Sequence, residues 1–171
     1  MNTKFWLQFL SFFVLPILLV LWFMGFFSGA HIGYAERGPY HYAYVVHEGD
    51  LAKIIDTQNR VYQILKQQGI APGVPVARLL EDPRVTPPLK MKAEAGFLVA
   101  PGAPVRAPLR AGTIPARRVL LVTVKASPLL APSKAYSALL DYLSAHAMKL
   151  ALPTVELYQH GTLSVEMDVR H

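Results

Sequence analysis

The chain has 171 residues, 53% of them hydrophobic, a formal net charge of +6 and no cysteine. That composition excludes a disulfide-stapled scaffold, a thiolate metal site and a disordered polar chain. With Lys4 set apart, a charge of +5 is spread thinly over residues 31–171, and both tryptophans, Trp6 and Trp22, precede that region. Dispersed basic residues without tryptophan stacking platforms argue against a nucleic-acid partner.

Residues 5–27 run from Phe5 to Phe27 without a charged side chain, Gln8 and Ser11 being the polar exceptions. As one helix this run would be about 34 Å long, enough for a hydrocarbon core of about 30 Å. Pro16 is tolerated in such helices, and Trp6 and Trp22 fall where rings prefer the headgroup level. Lys4 and the small residues Ser28-Gly29-Ala30 also suit a cleaved secretory signal. The apolar run is longer than the usual signal core of about 7–15 residues, so residues 1–30 are predicted to be a retained single-pass membrane anchor. Lys4 before the run and Arg37 after it balance, and the positive-inside rule assigns no side of the membrane to the rest. Residues 31–39 are read as a juxtamembrane linker.

The remainder, residues 40–171, has the length of one domain and contains one order of elements twice. His41–Glu48 alternates β-branched and aromatic residues and predicts a strand ended by Gly49. Asp50 is placed to cap a helix carrying Leu51, Ile54, Ile55, Val61, Tyr62 and Leu65, with Gly69 as its stop. Two short strands follow, Val76–Glu81 and Ala93–Ala100, parted by turns at Asp82-Pro83 and Pro87-Pro88. After a proline-rich stretch, Arg118–Ala126 is again a strand, and Pro132-Ser133 opens a helix bearing Tyr136, Leu139, Leu140, Leu143, Ala147 and Leu150 on one face. Thr154–Gln159 and Leu163–Val169 form a hairpin about His160-Gly161. The expected architecture is α+β, a duplicated β-α-β-β unit with repeat one at 40–100 and repeat two at 118–171. Two helices on one face of a mainly antiparallel sheet then leave a groove between the halves, where small molecules bind.

The joining segment 101–117, with Arg118 after it, holds Arg106, Arg110, Arg117 and Arg118 and no acidic residue. Four prolines and two glycines predict a mobile loop. It is either a solvated linker or, beside an anchor, a membrane-surface element attracted to anionic headgroups.

In the strand 154–159, alternation puts Thr154, Glu156 and Tyr158 on one face. Glu156 is therefore either an ordinary solvent-facing carboxylate or one set among apolar groups, able to bind a cation or accept a proton because desolvation raises its pKa. Tyr44, on the first strand with Tyr42, is a further candidate for the groove. Tyr62 and Tyr136 are read as core. Six histidines, His31, His41, His47, His146, His160 and His171, stand at no metal-ligand spacing, and no cofactor motif occurs. No nucleophile-elbow motif supports a hydrolase triad.

Glu156-Leu157-Tyr158 in the penultimate strand of a doubled β-α-β-β unit resembles the GyrI-like, effector-binding domain family. Glu81-Asp82-Pro83-Arg84-Val85-Thr86-Pro87-Pro88, the strand end His47-Glu48-Gly49 and Ile114-Pro115-Ala116 add to the likeness, which covers about residues 40–169. With the apolar N-terminus, the chain looks like a membrane-anchored branch that includes the testis-expressed endoplasmic-reticulum protein of animals. The resemblance implies a module that binds a small, cationic or aromatic organic ligand, with Glu156 at the bottom of the pocket and Tyr158 and Tyr44 beside it. Residues 5–27 would contact the lipid bilayer. A membrane-tethered adaptor holding a protein partner is the alternative. So is a hydrolase of strained electrophiles using Glu156, although the domain lacks the tryptophan of that branch. The chain ends at His171 without the long tail of the animal protein, so a selective-autophagy role is not expected.

Overall fold

The computed structural model describes residue 6 and residues 8–169; Lys4, Phe5 and His171, named above, lie outside the described residues. Residues 8–23 are helical, with a π-helical turn at Leu10–Val14 followed by α1 (Leu15–Phe23). The widened turn falls just before Pro16, whose missing N–H cannot serve an ordinary α-helical bond; the N–H of Leu15 bonds back to Leu10 instead. The continuous apolar helix expected through Phe27 is not observed. Met24 closes α1, Gly25 takes φ +76°, and the Phe26 N–H bonds to the Leu21 carbonyl at 2.9 Å. The run 8–23 spans about 24 Å, and no described helix is long and apolar enough to cross a membrane.

The remaining elements are β1 (Ala30–Arg37), β2 (Tyr40–Glu48), α2 (Ile54–Gln67), β3 (Pro75–Leu79), β4 (Lys92–Leu98), β5 (Arg110–Ile114), β6 (Arg117–Lys125), α3 (Ala131–Ala145), β7 (Thr154–Gln159) and β8 (Thr162–Asp168). Asp50 caps the 3₁₀ turn that leads into α2, its carboxylate accepting from the Ala52 N–H at 2.9 Å. Beyond Gly69 the Ile70 N–H returns to the Leu65 carbonyl at 2.9 Å and seals that helix. β2-α2-β3-β4 and β6-α3-β7-β8 are the two expected repeats.

Two strands lie where the sequence suggests linkers. Residues 31–39 are mostly β1, and the 101–117 segment contains β5 and the start of β6. Neither has the long apolar alternation that marks a strand, and each is recruited by the exposed edge of a neighbour. β1, which precedes repeat one, pairs with β6 of repeat two, while β5, which precedes repeat two, pairs with β2 of repeat one. The halves thus exchange arms. The single antiparallel sheet runs β1-β6-β8-β7-β3-β4-β2-β5, and β7 meets β3 at its centre.

Both long helices cover one face. Val61 and Leu65 of α2 pack with Ala43 and Phe97, while Ala131, Ala135, Leu139 and Leu143 of α3, four residues apart, pack on β6 and β8. The other face has no helix, yet Glu166 on it has no exposed surface. Curling explains this. In a flat sheet β2 and β8 would stand about 19 Å apart, four spacings of about 4.8 Å, but the Tyr40 hydroxyl donates to Glu166 Oε1 at 2.8 Å. The sheet closes its helix-free face upon itself, and the turns at Gly38 and Pro115 abut so tightly that a Cβ on Gly38 would lie 2.8 Å from the Pro115 carbonyl.

Candidate functional site

At the sheet centre α2 and α3 stand apart, and their N-terminal turns, β3, β7 and the loop from β6 to α3 enclose a cavity of about 670 Å³. Leu51, Ile54, Ile55, Pro132 and Leu163 make its walls mainly apolar, while Glu156, Tyr158, Gln58 and Ser127 supply polar atoms. Antiparallel pairing sets Glu156 opposite Ala77, so a small side chain leaves the carboxylate room to face the space between the helices.

Glu156 keeps part of its surface open to the cavity and is otherwise surrounded by protein. The Tyr136 hydroxyl donates to Glu156 Oε1 at 2.9 Å and lies 2.7 Å from Thr154 Oγ1, whose hydroxyl is free to donate in turn. Burial pushes the Glu156 pKa from its ordinary value of 4.5 up to about 7, and the bond from Tyr136 offsets this only in part. The Tyr136 phenol is held well above its ordinary range, first by burial and then by the neighbouring Glu156 charge. Tyr158 reaches the Ala126 carbonyl at 2.8 Å, and burial raises its pKa too.

Glu156 differs from the other carboxylates that accept from a tyrosine. Three tyrosine–glutamate pairs occur among the described residues: Tyr40 with Glu166, Tyr42 with Glu94, and Tyr136 with Glu156. Glu166 also binds Arg117 at 2.9 Å, and Glu94 binds Arg78 at 3.2 Å. Glu156 has no cationic partner among the described residues. Its charge, when formed, faces only a hydroxyl and the cavity, which is the arrangement that selects a cation or a proton.

The expected site residues therefore separate. Glu156 and Tyr158 share the cavity wall. Tyr44 does not: it stacks on Tyr42 with ring centroids 5.1 Å apart, in a cluster with Val76 and Val155 on the helix-free face. The strand period places Tyr42 and Tyr44 together, but periodicity alone does not say which face the helices take. Nor do the four arginines form one surface. Arg117 is largely buried between Glu166 and Asp168, and Arg118 lies over the Tyr34 ring at 5.4 Å. Arg106 and Arg110 are exposed, but the segment is pinned: the Gln68 side chain bonds both the N–H and the carbonyl of Arg106, at 3.0 and 2.8 Å, and Leu109 is buried. Tyr136, read as core, is core along its ring and a site residue at its hydroxyl; only the packing of α3 over β7, which brings that hydroxyl to Glu156, discloses that. Ser127, whose buried Oγ has no hydrogen-bond partner, and Gln58 carry no sequence signal.

No protein-family model and no curated protein matches the chain. Solved structures do. A cryo-EM structure of an EcmrR–DNA complex matches with a TM-score of 0.68 at 14% identity, covering 82% of this chain and 57% of that one. The isolated EcmrR C-terminal domain matches with a TM-score of 0.66 at 15% identity, over 82% and 98% of the two chains. SAV2435 bound to tetraphenylphosphonium matches with a TM-score of 0.57 at 13% identity, over 82% and 94%. This chain thus spans a little over half of the chain in the DNA complex but nearly all of its C-terminal domain. At such identities the likeness is one of fold, and it agrees with the α+β architecture with a mainly antiparallel sheet expected from the sequence. None of these three is described as membrane-anchored.

Proposed function

We propose that this protein binds a small hydrophobic cation in the cavity between α2 and α3, with Glu156 as its counter-charge and Tyr136 and Tyr158 as its polar frame. The observation that carries this reading is that Glu156, on the wall of a mainly apolar cavity, has no cationic partner among the described residues. A delocalised organic cation suits such a site because it loses little hydration on entry and restores a partner to the carboxylate. The structural neighbour that holds tetraphenylphosphonium supports the ligand class.

The same proposal places α1 in a bilayer as the protein's single membrane segment. Phe12, Phe13, Ile17, Val20, Trp22 and Phe23 are each more than half exposed and point in all directions around the helix. A helix apolar on every side needs an apolar solvent, and no face of α1 is set against the domain. Resistance of the protein to alkaline carbonate extraction from membranes tests this part; release into the supernatant would refute it.

Calorimetric titration of the full chain in detergent with tetraphenylphosphonium, and with neutral triphenylphosphine oxide as control, tests the site. The cation should bind at least tenfold more tightly than the neutral control, and Glu156→Gln should remove that preference. Binding weaker than millimolar, or a preference that survives the substitution, rules the reading out.

A further inference from the structure

The end of α1 is built into the domain beside the cavity. The Ser127 N–H donates to the Met24 carbonyl at 2.9 Å, and Met24 and Ser127 both line the cavity. Lys134, in the first turns of α3, reaches back with its ammonium to the carbonyls of Gly25 at 3.0 Å, Ser28 at 2.9 Å and Phe26. A cation is thereby set on the carbonyls of the turn that follows α1, near the helix C-terminus where the dipole favours positive charge. Gly25 fits because it has no Cβ: one would stand 2.6 Å from Ala126 Cα, and its φ of +76° already disfavours a side chain.

Apolar surface continues from α1 onto the cavity's rim. Leu129 is 79% exposed and Ile55 51% exposed, and both also line the cavity, as does Met24 at the end of α1, while Phe26 and Phe27 in the turn after α1 are 50% and 58% exposed. A bare leucine at a loop tip on the same side as an apolar helix marks a surface that lies against lipid. We infer that the mouth of the cavity is seated in the bilayer interface, with Leu129 and Ile55 dipped among the lipids, so that the protein takes its ligand from the membrane and its ligands are lipid-dissolved amphiphiles. This rests on the proposed membrane setting of α1 and goes beyond it in fixing which face of the domain meets the lipid.

Because the chain has no cysteine, single nitroxide labels can be placed cleanly on the full protein in phosphatidylcholine nanodiscs. L129C and I55C report the rim; R118C reports the other end of β6, about 23 Å from Lys125 along a strand rising about 3.3 Å per residue. The ratio of collision rates with oxygen and with a water-soluble nickel chelate should be at least threefold higher at the two rim sites than at R118C. Equal ratios at all three sites overturn the inference whether or not any ligand binds. A kinetic arm separates the inference from the binding site itself. In the F26D/F27D variant, altered at two exposed rings outside the cavity lining, association and dissociation of tetraphenylphosphonium in nanodiscs should both slow about fivefold with Kd changed less than twofold. Unchanged rates overturn lateral access, whereas a complete lack of tetraphenylphosphonium binding in the wild type defeats the ligand reading and leaves the collision ratios to decide the rim.

Discussion

Replacing Glu156 by Gln tests the chemistry of the cavity without emptying it, because the two side chains have nearly the same shape. The native carboxyl titrates near pH 7 against an ordinary value of 4.5. Between those values the folded protein holds a proton that the unfolded chain releases, so stability falls as pH rises through that window and the loss is complete above about pH 7. At about 1.4 kcal/mol per pH unit, a shift of about 2.5 units amounts to about 3 kcal/mol, reduced towards about 2 by water in the cavity. Glu156→Gln carries no charge at any pH and escapes the loss. It should exceed the wild type by less than about 1 kcal/mol at pH 5 and by about 2 to 3 kcal/mol at pH 8. Urea unfolding of the full chain in detergent, followed by circular dichroism, is the suitable assay, since both tryptophans sit in the N-terminal helical segment and do not report on the domain. Other groups titrate as well, but they cancel in the difference between the two proteins. If that difference moves by less than about 1 kcal/mol between pH 5 and pH 8, Glu156 is not a desolvated acid and the reasoning fails. Cation binding runs the opposite way with pH. Wild-type affinity should rise nearly tenfold per unit up to about pH 7 as the carboxylate forms, while the variant's stays flat.

Tyr136→Phe removes the hydroxyl that offsets the burial of Glu156, so the pH midpoint of cation binding should move upward and affinity at pH 7 should fall several-fold; an unmoved midpoint would count against the Tyr136–Glu156 bond. Arg117→Met leaves Glu166 and Asp168 without their shared guanidinium and should cost about 3 kcal/mol in denaturant unfolding. Arg118→Gln, over an exposed tyrosine, should cost less than about 1 kcal/mol; equal losses would show that the buried network is not what stabilises the helix-free face. Gly25→Ala forces a Cβ against Ala126 at positive φ and should loosen the junction by about 1 to 3 kcal/mol, seen as faster proteinase K cleavage between residues 24 and 30. An unchanged cleavage rate would show the junction to be a loose tether.

The parts of this fold legible in the sequence are those where period and punctuation agree. Asp50 before Leu51, Gly69 after the helix and His160-Gly161 between two alternating strands each set a boundary through local chemistry that tertiary packing has no reason to override. The duplication follows from reading the same order twice. β1 and β5 were not legible because their strand character comes from a partner: Ala30–Arg37 is only half apolar, and Arg110–Ile114 contains a glycine, yet each satisfies the open hydrogen bonds of the other repeat's first strand. Tyr44 fails as a cavity residue for a related reason. Its strand's two faces are told apart by Ala43 and Phe97 packing beneath α2, a contact between residues 54 positions apart. Glu156 was legible as a candidate because its strand alternates polar and apolar residues. Its lack of a cationic partner was not, since that depends on Arg78, Arg117 and Arg37 all lying on the helix-free face.

The exchanged arms bear on how α1 and the cavity move together. A single helix ahead of a domain would ordinarily be a tether, free to tilt without consequence. Here the chain leaves α1, turns at Gly25 under the Lys134 ammonium, and enters β1 within a few residues. β1 pairs along its whole length with β6, from Ala30 opposite Val124 to Arg37 opposite Arg117. β6 in turn feeds the loop through Ala126 and Ser127 that walls the cavity. A tilt of α1 therefore has two rigid routes to the same wall, one through the Met24–Ser127 bond and one through an eight-residue strand pair. Neither route passes through α2, which borders the cavity from repeat one. The consequence is directional: displacement of α1 should shift the α3 side of the cavity against the α2 side, at the β3–β7 seam where Ala77 faces Glu156. The seam is also where the two repeats meet, so Glu156, the proposed counter-charge, stands at the boundary that such a motion would open or close.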